Sequence, residues 1–206
     1  MNISLYNKCL DANFEAVFKN KNYSYFKKGY YNLNIIGVRA NKNNIVTNEF
    51  DDILVVLYRT ENNNIHKKLY AITTEPGLYY MTNKIPSNAG TAILVPGQYR
   101  SCWALGKHKG KYKALVQVKP VKVYRDYNKD SIYDMNPETI QEGVYGINIH
   151  RSSDIISPSK VDKWSAGCQV FKNKIDFSSF LYLCDKQAER YGNSFTYTLI
   201  NENDLV

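Results

Sequence analysis

Residues 52–74 read DILVVLYRTENNNIHKKLYAITT, and they show the pattern that repeats through the first two thirds of the chain. Two runs rich in β-branched and aromatic residues, 52–60 and 67–74, are separated by the polar stretch Glu-Asn-Asn-Asn at 61–64, a composition typical of turns. Further runs of this kind lie at 32–40, 91–96, 112–125, 142–150 and 193–200. Short strands at such spacing favour a sandwich or a barrel over alternating βαβ units.

Two other segments have helical periodicity. Apolar residues at helical spacing over 3–19 predict one amphipathic helix, and residues 176–192 predict a second, capped by Asp176 or Ser178 and ended by Gly192. The sequence therefore predicts a mainly β (α+β) protein with an N-terminal helix and one helix before the final strand. We expect a single domain over 1–206, with 1–28 as an N-terminal helical segment.

The chain is basic, with 27 Lys and Arg against 19 Asp and Glu in 206 residues, a formal charge of +8. This excess favours an anionic partner, which could be a nucleic acid, an anionic membrane surface or a cell-wall polymer. No nucleic-acid-binding motif is visible, so nucleic acid is not expected. No apolar run reaches the length of a spanning helix, and the first residues lack the pattern of a secretory signal, which predicts synthesis in the cytoplasm.

One stretch combines residue types that thiol chemistry requires. Residues 147–171 read INIHRSSDIISPSKVDKWSAGCQVF, and fourteen residues separate His150 from Ser165. A cysteine nucleophile needs a base and a set of fixed N–H donors for the oxyanion, and a turn through Gly167 and Cys168 offers such donors. The alternative is a buried cysteine and a histidine on neighbouring strands. The other cysteines, Cys9, Cys102 and Cys184, form no C-x-x-C pair and predict free thiols.

The spacing of His150 and the motif Ser165-Ala166-Gly167-Cys168 resembles the signature of the murein L,D-transpeptidase (YkuD-type) catalytic domain, over roughly residues 90–171. The resemblance implies a β-sandwich-like domain in which Cys168 is the acyl-accepting nucleophile and His150 its general base. It also implies that the amides of Gly167 and Cys168 form the oxyanion hole, with no cofactor required. Ala166 replaces the second histidine of the family, which indicates a divergent branch met in bacteriophage and bacterial genomes.

By this resemblance the protein is a cysteine acyl-transfer enzyme acting on peptidoglycan stem peptides or muropeptides. An amine acceptor would make it a transpeptidase and water would make it a peptidase. The alternative is a catalytically silent phage structural or cell-wall-binding protein. A phage product would reach the wall during lysis or with the virion. The candidate substrate-binding residues are Asn148, Arg151, Trp164 and His108.

His108 lies between Lys107 and Lys109, near Gly106 and Gly110. It could bind an anionic substrate, replace the missing family histidine, or belong to a solvated hairpin turn. His66 is assigned to another turn.

A second candidate site follows the strand run 112–125. Asp126, Asn128, Asp130 and Asp134 occupy positions 1, 3, 5 and 9 of a calcium-loop pattern. Ser131 replaces the glycine of position 6, and Pro137 replaces the glutamate of position 12. The sequence thus predicts a structural Ca²⁺ site here, with a polar hairpin as the alternative.

Overall fold

The computed structural model describes residues 2–83 and 89–206. Within these ranges the helices are α1 (Ile3–Asp11), α2 (Phe14–Asn20), α3 (Leu78–Thr82) and α4 (Lys174–Tyr191). The strands are β1 (Asn34–Arg39), β2 (Asp52–Arg59), β3 (Ile65–Thr73), β4 (Thr91–Leu94), β5 (Gly97–His108), β6 (Tyr112–Gln117), β7 (Val121–Asp126), β8 (Gln141–Gly143), β9 (Ile149–Arg151), β10 (Gln169–Phe171) and β11 (Phe195–Asn201). The mainly β (α+β) class is confirmed.

The strands form two sheets. Eight of them close into a barrel in the order β1-β11-β5-β6-β9-β10-β3-β2, and β4-β7-β8 form a separate three-stranded sheet. The pairs β1–β11 and β9–β10 are parallel. Parallel neighbours cannot be joined by a tight hairpin, and residues 152–168 form the long connection between β9 and β10.

The largest apolar cluster joins the two sheets. Leu94 and Val123 of the three-stranded sheet belong to the same buried cluster as Trp103 of the barrel and Phe180 of α4. The Trp103 indole N–H, fully buried, donates to the Ile147 carbonyl at 2.7 Å. The three-stranded sheet therefore packs against the barrel, and the loops between them border a cleft.

The prediction of one helix over 3–19 is wrong, because the chain leaves helical geometry at Ala12 (ψ 140°). Asn13 starts α2 by accepting from the Ala16 amide. The Lys67 ammonium binds the carbonyls of Cys9, Leu10 and Ala12 and so stabilises the end of α1 from a distant strand. This contact has no signature in the local sequence.

Several other boundaries differ from the sequence-based expectation. The runs 112–125 and 142–150 are each two strands that belong to different sheets. The helix α4 is capped by Asn173 rather than by Asp176 or Ser178, and it ends at Gly192 as predicted. His66 lies within β3 instead of a turn. Strand β5 and helix α3 were not predicted. Across the described ranges, every helix is too short or too polar to cross a membrane.

Candidate active site

The parallel pair β9–β10 brings His150 and Cys168 to one cleft. Ile149 pairs with Gln169 and His150 with Val170, so Cys168, just before β10, lies opposite Asn148. Strand spacing and rise then separate the Cα atoms of Cys168 and His150 by about 8 Å, with both side chains on the same face. Both residues line a cleft of about 530 Å³, walled by the barrel on one side and by β4 and β7 on the other.

The hydrogen bonds of His150 define its tautomer. Its Nδ1 lies 2.8 Å from the Arg151 carbonyl oxygen, which can only accept, so Nδ1 carries the proton. The Tyr112 hydroxyl lies 3.1 Å from Nδ1 and donates to the same carbonyl. The remaining nitrogen, Nε2, is therefore unprotonated and able to act as a base.

His108 is stacked on His150, with ring centroids 3.9 Å apart and an interplanar angle of 22°. It ends β5, is buried, and accepts at Nδ1 from the Asn148 side-chain amide at 3.1 Å. The solvated-turn alternative for His108 is therefore wrong. Burial, and then Lys109, lower the pKa of His108 to about 4. Burial, and then the neighbouring His108, lower the pKa of His150 to about 3, so both rings are neutral at neutral pH.

The depressed pKa of His150 makes stability depend on pH. The unfolded chain takes up this proton near pH 6.5, whereas the folded protein takes it up only near pH 3. Stability from this residue is thus complete above pH 6.5 and is lost as pH falls towards 3, by about 1.4 kcal/mol per pH unit at most. Urea unfolding at pH 7, 6 and 5 should show this slope, and His150→Gln should reduce it. An equal slope in both proteins would contradict the assignment.

The Cys168 thiol is neutral at rest. It is partly buried, and Sγ donates to the Gly146 carbonyl at 3.3 Å. Burial raises the pKa of the thiol, while the Asn148 main-chain N–H and the Lys109 ammonium act in the opposite direction. The site therefore holds a neutral thiol and a neutral imidazole rather than a thiolate–imidazolium pair. All four cysteines are free thiols.

The turn before Cys168 is held by Ser165. The buried Ser165 hydroxyl donates to the Cys168 carbonyl at 2.8 Å and accepts from the Gly167 amide at 3.1 Å. The Gly77 amide binds the Ser165 carbonyl at 2.9 Å. Ser165 is thus a positioning residue. Because the Gly167 amide is engaged, the Cys168 amide is the free donor of the two expected for the oxyanion hole, within the part of the chain that the structure describes.

Gly167 cannot be replaced without strain. Its φ is +127°, and a Cβ there would lie 2.4 Å from the Ala92 carbonyl oxygen. We expect Gly167→Ala to lower the free energy of unfolding by more than about 2 kcal/mol. Gly110→Ala is the matched control, since Gly110 has φ +71° but nothing within 4 Å of its Cβ position. Denaturant titration measures both, and equal losses would show that the Ala92 contact costs nothing.

The other predicted substrate-binding residues lie at or beside the cleft. Asn148 and Trp164 line it, and Trp164 is 40% exposed. Arg151 borders an adjoining groove, where its guanidinium lies 4.4 Å from the Tyr112 ring centroid and pairs with Asp154 at 3.3 Å. Tyr112 and Arg125 also lie at the cleft or the adjoining groove and were not predicted as site residues. Each begins or ends a strand run, and no local signal marks it.

The predicted calcium loop closes largely on itself. Asn128 donates to the Asp134 carboxylate, Asp130 accepts from the Ile132 amide, and the buried Asp126 accepts at Oδ2 from the Asp134 amide. No group of three or more acidic, histidine or cysteine side chains suited to a metal was found among residues 2–83 and 89–206. The second oxygen of Asp126, Oδ1, is buried and has no hydrogen-bond partner among these residues. Burial raises the pKa of this carboxyl.

Calcium binding stays a prediction, and its expected effect is a rise in the stability of the folded protein. If millimolar Ca²⁺ exceeds its dissociation constant 10- to 100-fold, the free energy of unfolding should rise by about 1–3 kcal/mol. Thermal unfolding in Ca²⁺ and in chelator measures the difference, and Asp126→Ala and Asp130→Ala should each abolish it. Superimposable melting curves in the two buffers would refute the site.

No family model, curated protein or solved structure matches this chain.

Proposed function

We propose that the protein is a cysteine acyl-transfer enzyme that acts on peptidoglycan stem peptides. The observation that carries this proposal is the state of His150, a neutral imidazole whose Nδ1–H is bound to the Arg151 carbonyl. This leaves Nε2 as a base at the cleft that also contains Cys168. A nucleophile, a base and a third group that orients the base are thus present in one cleft. The Cys168 thiol donates to the Gly146 carbonyl in this structure, so it has to turn from that carbonyl to Nε2 before the proton can pass. The resemblance to the L,D-transpeptidase signature supplies the substrate class.

The proposed reaction starts from the neutral pair. Cys168 Sγ attacks the peptide carbonyl carbon while its proton passes to His150 Nε2, and the Cys168 amide donates to the developing oxyanion. The C–N bond then breaks, the proton moves from Nε2 to the leaving amine, and a thioester remains on Cys168. An acceptor amine or water resolves the thioester by the reverse sequence. Tyr112 and the Arg151 carbonyl keep the imidazole oriented throughout.

The decisive experiment compares Cys168→Ala with the wild type. Each is incubated with purified muropeptides, and products are followed by mass spectrometry. We expect new cross-linked or shortened muropeptides from the wild type and none from Cys168→Ala. Cys102→Ala is the matched control, because Cys102 is a free, buried cysteine outside the lining of the cleft. Identical profiles from Cys168→Ala and the wild type would eliminate the proposal.

A second candidate is a wall-binding or phage structural protein that keeps this scaffold without its chemistry. Two observations favour it: Ala166 replaces the family histidine, and burial raises the pKa of the Cys168 thiol. Alkylation below pH 8 is slow for a neutral thiol in either case, so thiol reactivity does not separate the two. The mass of the intact protein after incubation does separate the enzyme from the binding protein. A covalent adduct on Cys168 after incubation with muropeptides supports the enzyme, and tight binding without adduct or product supports this alternative.

The same proposal places the action at the cell wall. The formal charge of +8 suits retention by anionic wall polymers, which salt would weaken. The test is binding of purified protein to isolated sacculi at low and high ionic strength. Salt-sensitive binding supports action at the wall. Activity on small muropeptides with no binding to sacculi at any salt concentration would point to muropeptide recycling.

A further inference from the structure

Arg125 is a buried cation in the cleft, and its known partners are all neutral. The residue is 8% exposed. Its Nε donates to the Gln141 side-chain oxygen at 3.0 Å, and Nη1 donates to the Gly90 carbonyl at 3.4 Å. The guanidinium carbon lies 4.4 Å from the Tyr145 ring centroid. Within the described ranges no carboxylate lies at ion-pair distance from the Arg125 guanidinium, and its Nη2 donates to no acceptor.

This arrangement leaves a charge incompletely compensated. A buried charge is costly unless it is paired, and two neutral acceptors with one ring offset only part of that cost. Guanidinium groups have the planar donor geometry that carboxylates accept, often through two parallel hydrogen bonds. An anionic group bound from the cleft would therefore complete the coordination of Arg125.

The rest of the cleft also favours an anionic ligand. Its described lining contains no aspartate or glutamate, whereas Lys109 and Lys163 line it together with Arg125. The Lys163 ammonium lies over the Tyr79 ring at 4.3 Å, which holds it near this surface. Cations on several sides of a concave surface raise the local concentration of anionic ligands.

Arg125 is also placed by the fold close to the nucleophile. In the antiparallel pair β4–β7 it lies opposite Ala92. The Ala92 carbonyl oxygen abuts Gly167, the residue before Cys168, closely enough to exclude a Cβ there. A group bound to Arg125 would therefore lie on the β4–β7 wall of the cleft, across from β9, which contains His150, and from β10, which Cys168 directly precedes.

We propose that Arg125 is a specificity-determining residue that binds a carboxylate of the peptide substrate. The reactive carbonyl is thereby held at Cys168, and peptides whose carboxylates are blocked are poor ligands. This assignment rests on the proposed function for its substrate class, whereas carboxylate binding itself requires only the cleft. Asn148, His108 and Trp164 would contact the remainder of the peptide.

The test measures binding separately from chemistry. Cys168→Ala protein is titrated calorimetrically with muropeptides that have free carboxylates and with the same muropeptides after amidation of those carboxylates. We expect the free form to bind about 10- to 100-fold more tightly, as for a hydrogen bond to a charged group. In the Cys168→Ala protein, a second substitution Arg125→Met should remove the difference in affinity between free and amidated muropeptides. Arg125→Lys should retain part of that difference. Arg190 lies on α4 and forms an exposed ion pair with Glu61, so Arg190→Met should leave the difference in affinity unchanged.

The outcomes separate the two proposals. Equal affinity for free and amidated muropeptides, or a preference that survives Arg125→Met, overturns the role of Arg125 even when wild-type protein forms products. A preference that depends on Arg125 in a protein that forms no product upholds the carboxylate site and overturns acyl transfer. Circular dichroism and melting temperature confirm that each variant is folded. If Arg125→Met does not fold, a full preference retained by folded Arg125→Lys would still contradict the role of the Arg125 guanidinium.

Discussion

Replacing His150 with glutamine is expected to reduce the rate of product formation from muropeptides by about two to four orders of magnitude, the range that a positioned general base contributes. The neutral Cys168 thiol cannot attack efficiently unless its proton is removed as the bond forms, and His150 Nε2 is the base that the hydrogen bonds leave free. Rates from mass spectrometry of product formation give the measurement. His66→Gln is the control, because His66 lies in β3, stacks on Tyr58 of β2 and is outside the lining of the cleft.

The pH dependence of the wild-type rate distinguishes this mechanism from an ion pair. Burial and then the neighbouring His108 lower the pKa of His150 to about 3, so the imidazole stays unprotonated from pH 8 to pH 5 and able to accept a proton. An ordinary imidazole would lose roughly 20- to 30-fold of its basic form between pH 7 and pH 5. We therefore expect no decline of that size over this interval. A decline centred near pH 6.5 would show that the stacked pair does not depress the pKa of His150.

Local patterns were enough to predict most strands of this fold. The runs 32–40 and 52–60 are β-branched and lie between turn sequences, and they form β1 and β2. Strand β5, GQYRSCWALGKH, has no Val, Ile or Thr, and only Tyr99 and Trp103 favour a strand, so its β signal is weak. The division of run 112–125 follows Pro120, which cannot donate to a sheet ladder, and the two halves join different sheets.

The candidate site could be predicted only for those residues that lie close together along the chain. His150 and Cys168 became candidates because their motif is local, and the β9–β10 pair brings them to one cleft. The groups that determine their ionisation come from distant strands. His108 ends β5 and Tyr112 begins β6, and the hairpin between these strands places both beside His150. Single-sequence patterns contain no information on such pairing.

A buried ionic cluster lies at one end of the barrel, and its centre is Lys42. The Lys42 ammonium lies 2.8 Å from Asp51, 3.0 Å from Asp52 and 2.5 Å from Glu75. Arg39 adds a second cation, 3.3 Å from Glu75, and its guanidinium also binds the carbonyl oxygens of Thr74 and Leu94. Two cations thus face three carboxylates.

The carboxylates of this cluster depend on Lys42 for compensation. Burial raises the pKa of Glu75 and of Asp51, and Lys42 opposes the rise in each case. Burial also acts against ionisation of Asp52, but Lys42 and the main-chain N–H groups of Ala40 and Thr74 lower its pKa. The segment after Glu75 leads to Gly77, whose amide binds the Ser165 carbonyl in the turn before Cys168. The cluster therefore supports the turn before Cys168 as well as the barrel.

Replacing Lys42 with methionine is expected to lower the free energy of unfolding at pH 7 by about 3–5 kcal/mol, the cost of leaving buried charges without their partner. Native domains are stable by only about 5–15 kcal/mol, so much of the total would be lost. Denaturant titration measures the loss, and Lys160→Met, which breaks an exposed pair with Glu49, should cost at most about 1 kcal/mol.

Without Lys42, the folded-state pKa of Glu75 lies further above its unfolded value, so Lys42→Met should regain stability relative to wild type as pH falls from 8 to 5. Adding Glu75→Gln should restore part of the loss at pH 7. A loss below 1 kcal/mol, unaffected by pH, would mean that water rather than Lys42 compensates these carboxylates.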